Sequence, residues 1–106
     1  ILGRASIDII KSGGYKLSAL EIEATLLEHP DVSEVAVIGV PDDEWGEIVA
    51  AAVVLANPVS EDDLVQWSRE RMSSYKVPRK WIFTDALPRN ALGKVTKPSL
   101  STWFEG

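Results

Sequence analysis

The sequence predicts an α+β fold, with a three-stranded sheet packed against helices and a separate small N-terminal two-stranded hairpin. Two continuous apolar runs rich in β-branched residues, 35–40 and 48–55, are too short for buried helices and are typical of central strands. Ser18 and Ser60 each stand at the start of a segment with helical periodicity. A Gly13-Gly14 pair between two short extended segments indicates a tight hairpin.

The predicted hairpin comes first in the chain. Its strands are residues 8–11 and 15–17, and Ser12-Gly13-Gly14 forms the turn between them. Because glycine carries no side chain, the backbone at this turn is able to approach a ligand closely.

The first helix is predicted to begin after Ser18, which forms a capping box with Glu21, and to run to about Glu28. Its predicted apolar face consists of Leu20, Ala24 and Leu27. His29-Pro30 ends the helix. We therefore expect Glu21 and Glu23 to be capping and solvent-facing residues and not a catalytic pair.

The second helix is predicted to begin after Ser60 and to run to about Met72. Asp62-Asp63 lies in its first turn, where negative charge complements the helix dipole. Leu64 and Trp67, three residues apart, supply its core stripe.

The rest of the fold lies around these helices. A turn at 41–46 separates the two long strands, and residues 80–84 are predicted to form a third strand. Pro98 favours the start of a short last helix. The apolar side of this helix comprises Leu100, Trp103 and Phe104.

The chain of 106 residues has room for one domain, residues 1–106. It has no cysteine, which excludes disulfides, thiolate metal sites and a cysteine nucleophile. Its net charge of −5 is unevenly spread: residues 69–97 carry eight basic and two acidic side chains, and the rest carries three basic and fourteen acidic ones. We expect the basic segment to attract an anionic ligand, whereas the acidic remainder argues against nucleic-acid binding.

The longest apolar runs fall far short of the ~20 residues of a membrane helix, and no charged-then-apolar leader is present. We therefore expect a soluble protein without membrane insertion, in the cytoplasm or, in a eukaryote, in the mitochondrial matrix. Because the chain opens on Ile1 within a motif, we expect it to be a fragment of a larger polypeptide.

The segment 87–97 is the strongest candidate functional feature, because it places a lysine on a glycine-hinged loop. Pro88 restricts φ, Asn90 tolerates turn geometry, and Gly93 gives the backbone freedom. Lys94 is thus predicted to reach beyond the surface and to meet an anionic ligand. An ordinary charged loop is the alternative.

Two signatures in the chain resemble those of the adenylate-forming enzymes, the superfamily of acyl-CoA synthetases, luciferases and peptide-synthetase adenylation domains. The first is Pro88-Arg89-Asn90 followed by Gly93-Lys94, which resembles the last signature of that superfamily. An earlier signature of the superfamily resembles Gly3-Arg4, residues 10–16 and Glu21-Ile22-Glu23. Between the two signatures lie residues 35–42 and Trp45-Gly46-Glu47, which are also similar to the superfamily. The resemblance covers nearly the whole chain.

The resemblance implies that this chain is the mobile C-terminal lobe of an ATP-dependent acyl-CoA synthetase. In such enzymes a large N-terminal domain binds ATP and the carboxylic acid. The same domain supplies most of the contacts to Mg²⁺. The carboxylate first attacks the α-phosphate to give an acyl-adenylate; the lobe then rotates, and coenzyme A displaces AMP. An isolated lobe is expected to be inactive.

The resemblance also assigns roles to individual residues. Lys94 corresponds to the catalytic lysine of adenylation and contacts ATP and AMP. Arg4, beside the hinge, and Lys16 correspond to nucleotide-binding positions. Gly13-Gly14-Tyr15 is similar to the loop that lines the pantetheine tunnel in the thioester step, and Lys11 falls where luciferases place a second lysine.

One spacing departs from the commonest family pattern. From Arg4 to Gly14 the chain has one residue more, so that Ser6 is only the nearest occupant of the hinge position. The longer spacing, together with residues 18–23 and 87–94, resembles the pattern of malonyl-CoA synthetases and their methylmalonate-accepting relatives.

Three other groups of residues are weaker candidates. His29 has no serine or cysteine partner at a suggestive spacing, and residues 42–44 with Glu47 are typical of a solvated turn more than of a cation site, so no metal site is predicted. The tryptophans are expected in core or domain contacts: Trp45, Trp67, Trp81 and Trp103.

Alternative functions remain a peptide-synthetase adenylation lobe and a non-catalytic binding or regulatory module. The expected partners are the N-terminal domain, the carboxylic acid, ATP and coenzyme A. An exposed Lys94 would also be open to a lysine acetyltransferase and deacetylase, since acetylation removes its charge.

Overall fold

The computed structural model describes residues 9–104. Its strands are β1 (Ile9–Ser12), β2 (Tyr15–Ser18), β3 (Val32–Asp42), β4 (Gly46–Leu55) and β5 (Lys80–Thr84). Its α-helices are α1 (Ala19–Leu26), α2 (Glu61–Arg69) and α3 (Lys97–Leu100), and 3₁₀ turns span Ser74–Lys76 and Ser101–Phe104. The α+β class is confirmed, and each predicted helix and strand is present with bounds shifted by a few residues.

The sheet has five strands, so the prediction of a three-stranded sheet with a separate hairpin was wrong. β3 runs antiparallel to β4 along its whole length, and β5 pairs in parallel with the other edge of β4. The β1–β2 hairpin joins that same edge through one residue pair, Ser12 with Gly46. This junction connects residues far apart in the chain, which no local sequence signal reports.

Both faces of the sheet are covered, as expected for continuous apolar strands. One face packs against α1, α2 and the inner side of the hairpin, and its buried strand residues include Val37, Val49 and Val53. The opposite face packs against the C-terminal segment. Leu100 and Phe104 are buried there and Trp103 is half-buried, which confirms the predicted apolar side of the last helix.

Helix α1 begins as predicted, because the Ser18 hydroxyl accepts a hydrogen bond from the Glu21 N–H at 3.2 Å. Its predicted apolar face was wrong. Leu20 and Leu27 are 56% and 48% exposed and Ala24 is exposed. The buried side is formed by Ala19, Ile22 and Leu26. Both sets fit a helical period, and only the position of the sheet decides between them.

Helix α2 follows the same starting rule, with the Ser60 hydroxyl accepting a hydrogen bond from the Asp63 N–H at 3.1 Å. Leu64 is fully buried and Trp67 packs at the edge of the same core, as predicted. Among the described residues, no helix is long and apolar enough to cross a lipid bilayer.

Candidate functional site

Lys94 lies at the tip of a short hairpin that an isolated bridge between Arg89 and Val95 closes. Gly93 has a φ of +83°, so glycine meets a real conformational requirement there. The Asn90 side chain organises the tip, because its Oδ1 accepts the N–H groups of Leu92 at 2.9 Å and of Lys94 at 3.1 Å. Sequence reasoning assigned Asn90 only a tolerance of turn geometry and missed this double acceptor.

Two further contacts attach this tip to the sheet. The Arg89 guanidinium donates to the Gly93 carbonyl at 2.8 Å and forms an ion pair with Glu34 near the start of β3. Thr96 N–H donates to the Pro88 carbonyl at 2.9 Å. The backbone under Lys94 is therefore fixed by side chains as well as by the turn.

The Lys94 side chain itself is exposed. Within residues 9–104 its ammonium group makes no hydrogen bond or ion pair. Other cations of the basic segment are engaged in the fold: Lys76 pairs with Glu21 at 2.8 Å and Lys97 pairs with Glu23 at 2.8 Å. A fixed backbone with an uncommitted ammonium group is what recognition of an external anion requires.

The second candidate site is the β1–β2 hairpin. Gly13 and Gly14 have φ values of +56° and +88°, as the two central residues of a type I′ turn require. The register pairs Lys11 directly with Lys16, and both side chains are exposed. Two like charges on opposed strand positions repel each other, and an anion between them would relieve that repulsion.

The turn glycines have different surroundings. A Cβ added at Gly13 would stand 2.5 Å from the Trp45 ring, whereas one at Gly14 would meet no atom within 4 Å. Gly13 N–H donates to the Trp45 carbonyl at 2.9 Å, and Lys11 N–H donates to the Glu47 carboxylate at 2.8 Å. The turn is therefore anchored on one side and open on the other.

The fold keeps Lys94 and the glycine turn apart. The Lys94 hairpin is tied to Glu34, near the start of β3, whereas the glycine turn meets the sheet where β3 ends at Asp42 and β4 begins at Gly46. At roughly 3.3 Å per residue, these anchor points on β3 are about 26 Å apart. The two features are therefore attached at opposite ends of β3.

Two predicted site residues, Arg4 and Ser6, lie outside the described residues. Their proposed nucleotide and hinge roles stay predictions.

The weaker candidates have structural roles. His29 is buried, its Nδ1 accepts the Asp31 N–H at 3.0 Å, and its ring meets Trp67 edge-on. The Asp42 carboxylate accepts two backbone N–H groups of its own turn, at 3.0 and 2.9 Å. Among residues 9–104 no group of three or more potential metal ligands comes together.

Glu23 differs from its prediction as a solvent-facing residue. Its side chain is 15% exposed, and its Oε2 accepts both the Val37 N–H at 2.8 Å and the Lys97 ammonium. Glu21 is exposed, as expected. Its hydrogen bond and charge raise the pKa of Lys76 above the ordinary 10.5.

Comparison with known proteins identifies the family of the chain. The family described as the AMP-binding enzyme C-terminal domain matches residues 21–94. The mitochondrial malonate–CoA ligase of Xenopus laevis is 50% identical over 106 residues, which is 98% of this chain and 18% of that protein. The chain thus spans about a fifth of the length of such relatives.

Solved structures show the same domain. A fatty acyl CoA synthetase from Mycobacterium tuberculosis is 48% identical, with a TM-score of 0.84 over 92% of this chain and 20% of that one. ATP-bound MatB from Rhodopseudomonas palustris is 36% identical, with a TM-score of 0.88 over 93% of this chain and 20% of that one. From its sequence, its fold and these matches, the chain belongs to the AMP-binding enzyme C-terminal domain family.

Proposed function

We propose that the whole protein is an AMP-forming acyl-CoA synthetase, in which this domain serves both half-reactions in turn. The observation that carries the proposal is Lys94: an exposed ammonium group without a partner among the described residues, on a tip whose backbone Asn90 holds. This geometry supports the proposal because it holds the backbone of Lys94 while leaving the ammonium group available to an anion.

In the first half-reaction Lys94 is proposed to reach the carboxylate and the α-phosphate of ATP. Both reactants are anions, so a fixed cation between them offsets their repulsion and stabilises the charge that develops in the transition state. An ammonium group suits this position because it is a compact charge with three donors. Mg²⁺ would be held mainly by the N-terminal domain.

In the second half-reaction the glycine turn is proposed to line the path of the pantetheine thiol. The open side of Gly14 lets the backbone approach that chain, and the Lys11–Lys16 pair adds positive charge for the phosphates of coenzyme A or of the nucleotide. Because about 26 Å separates the two ends of the lobe on β3, rotation of the lobe is the simplest way to present each in turn.

The acyl substrate is proposed to be malonate or methylmalonate. The one-residue-longer spacing before Gly14 and the naming of several relatives as malonate–CoA ligases support this choice. We also propose a mitochondrial location for the protein, because the names of its vertebrate relatives include that compartment.

The test is pyrophosphate release by the full-length protein across a panel of carboxylic acids, with and without coenzyme A. A synthetase releases pyrophosphate with its acid and converts the adenylate to a thioester only with coenzyme A. Adenylate formation without transfer to coenzyme A would favour a peptide-synthetase lobe. Absence of pyrophosphate release with every acid would favour the non-catalytic module.

Replacement of the lysine gives a sharper result. We expect Lys94→Ala to lower the rate of adenylation by ~10² or more, while thioester formation from preformed acyl-adenylate stays near the wild-type rate. Leu92→Ala, at an exposed residue on the same tip, is the matched control and should leave both rates unchanged. Equal losses in the two half-reactions of Lys94→Ala would refute the assignment.

A further inference from the structure

An ion pair between Glu34 and Arg89 joins strand β3 to the tip that carries Lys94. The two residues lie 55 positions apart in the chain, so the pair is a tertiary contact. The hydrogen bonds of Asn90 and Thr96, in contrast, join residues of the segment 88–96 to one another. Glu34 therefore supplies an orientation relative to the sheet that the sequence of the tip does not contain.

A β-bulge places Glu34 on the side of the sheet from which the tip extends. Val32 and Glu34 pair with consecutive residues of β4, so Ser33 is an extra residue on β3. Glu34 lies in the same alternation as Ala36 and Ile38, which pack on the face that the C-terminal segment covers. Val32 packs on the opposite face. Without the extra residue, Val32 and Glu34 would share one face of the sheet.

Arg89 extends this constraint to the backbone of Lys94. One terminal nitrogen of its guanidinium donates to the Gly93 carbonyl at 2.8 Å, and the other pairs with Glu34. The Gly93 carbonyl and the Lys94 N–H belong to one planar peptide group. Because the guanidinium is itself a rigid fork, its two contacts fix the orientation of that peptide relative to β3.

We propose that Glu34 is a positioning residue for adenylation: through Arg89 it sets the direction in which the Lys94 ammonium group meets the reacting anions. This inference rests on the proposed function, since it assigns Lys94 to that step. Misplacing a reacting group by about 1 Å costs up to ~10² in rate. The side chains of Arg89 and Glu34 are 43% and 39% exposed, so their pair is a weaker constraint than a buried one and its loss has a smaller effect.

The kinetic test uses the full-length enzyme with Glu34→Ala. We expect kcat for adenylation to fall about fivefold, with KM for ATP unchanged, because the orientation of Lys94 matters most in the transition state. Thioester formation from preformed acyl-adenylate should stay near the wild-type rate. Glu34→Gln keeps an acceptor oxygen for Arg89 and should lose less. Glu21→Ala removes another exposed ion pair, with Lys76, and is the matched control that should leave both rates unchanged.

A second variant tests whether Glu34 acts through Arg89. Arg89→Leu removes the contact with Gly93 as well as the ion pair, and we expect it to lower kcat for adenylation by about tenfold. Adding Glu34→Ala to this variant should cause no further loss, because the carboxylate then has no guanidinium to hold. A double variant that falls by the product of the two single effects would overturn the inference.

Hydrogen exchange of the backbone amides of residues 89–95 supplies a readout that does not depend on activity. We expect faster exchange in Glu34→Ala than in the wild type or in Glu21→Ala, with exchange at residues 11–16 unchanged. Unchanged exchange at the tip, or equal losses in the two half-reactions, would overturn the inference. If the wild-type protein forms no adenylate, the proposed function fails, while exchange at the tip still decides whether Glu34 orients it.

Discussion

At the scale of single residues, the chemistry of Lys94 depends on its neighbours more than on its own exposure. Asn90 accepts two N–H groups of the tip, and Arg89 connects the Gly93 carbonyl to the acidic start of β3. The motif therefore encodes a rigid support as well as a lysine. Gly93 supplies a left-handed turn conformation within that support.

This support makes Asn90 a direct target for mutation. We expect Asn90→Ala to lower the adenylation rate by about tenfold, because two unpaired N–H groups let the tip, and with it the ammonium group, move from its productive position. Asn90→Asp keeps the accepting oxygen and is expected to stay close to wild type. Adenylation rates of the three full-length proteins provide the measurement, and a wild-type rate for Asn90→Ala would contradict the argument.

At the scale of secondary-structure elements, a side chain of α1 satisfies a backbone N–H group on the open edge of β3. Glu23 of α1 accepts the Val37 N–H of that edge and the ammonium group of Lys97 at the start of α3. Because α1 and the C-terminal segment pack on opposite faces of the sheet, this contact joins the two layers around its edge.

Removal of this carboxylate should therefore destabilise the domain. We expect Glu23→Ala to lower the free energy of unfolding by about 1–3 kcal/mol, since a largely buried N–H and an ammonium group lose their acceptor. Glu23→Gln keeps an acceptor for Val37 and should lose less. Urea unfolding of the 106-residue chain is the measurement, and Glu28→Ala, at an exposed residue of the same segment, is the control. Equal losses in the free energy of unfolding for Glu23→Ala and Glu28→Ala would rule out the bridging role.

At the scale of the whole molecule, the two proposed sites are attached to opposite ends of one strand of the sheet. The Lys94 tip is anchored near the start of β3, and the glycine turn is anchored at the level of its end. Because about 26 Å separates these anchors, we expect a substitution at one proposed site to leave the other site unaltered.

This separation predicts additive effects of mutation. In the double variant Lys94→Ala with Gly14→Ala, each half-reaction should fall by the product of the two single effects, within about 0.5 kcal/mol, because the two sites are distant and share no contact. Rates of both half-reactions in the four proteins of the cycle test this. A larger coupling energy in either step would show that the two ends communicate through the sheet.

Much of this organisation was predictable from local signals. The Gly-Gly turn, the serine caps at 18 and 60, the buried strands and the lysine at 94 each depend on a few adjacent residues. Side-chain period and backbone preference act over such short stretches, so the turn, the caps and the strands were predicted correctly, and the exposure of Lys94 on its loop was as well. The predicted apolar face of α1 was wrong, because the helical period of its sequence permits more than one apolar side.

By itself, the sequence determined the identity of the elements, their order, and the membership of the chain in its family. Only the tertiary structure decided that the hairpin joins the sheet at Ser12 and Gly46, that Glu23 closes the β3 edge, and that Tyr75 stacks on Tyr15. Each of these contacts joins residues far apart in the chain. Its geometry depends on how all the layers pack together, and no local propensity carries that information.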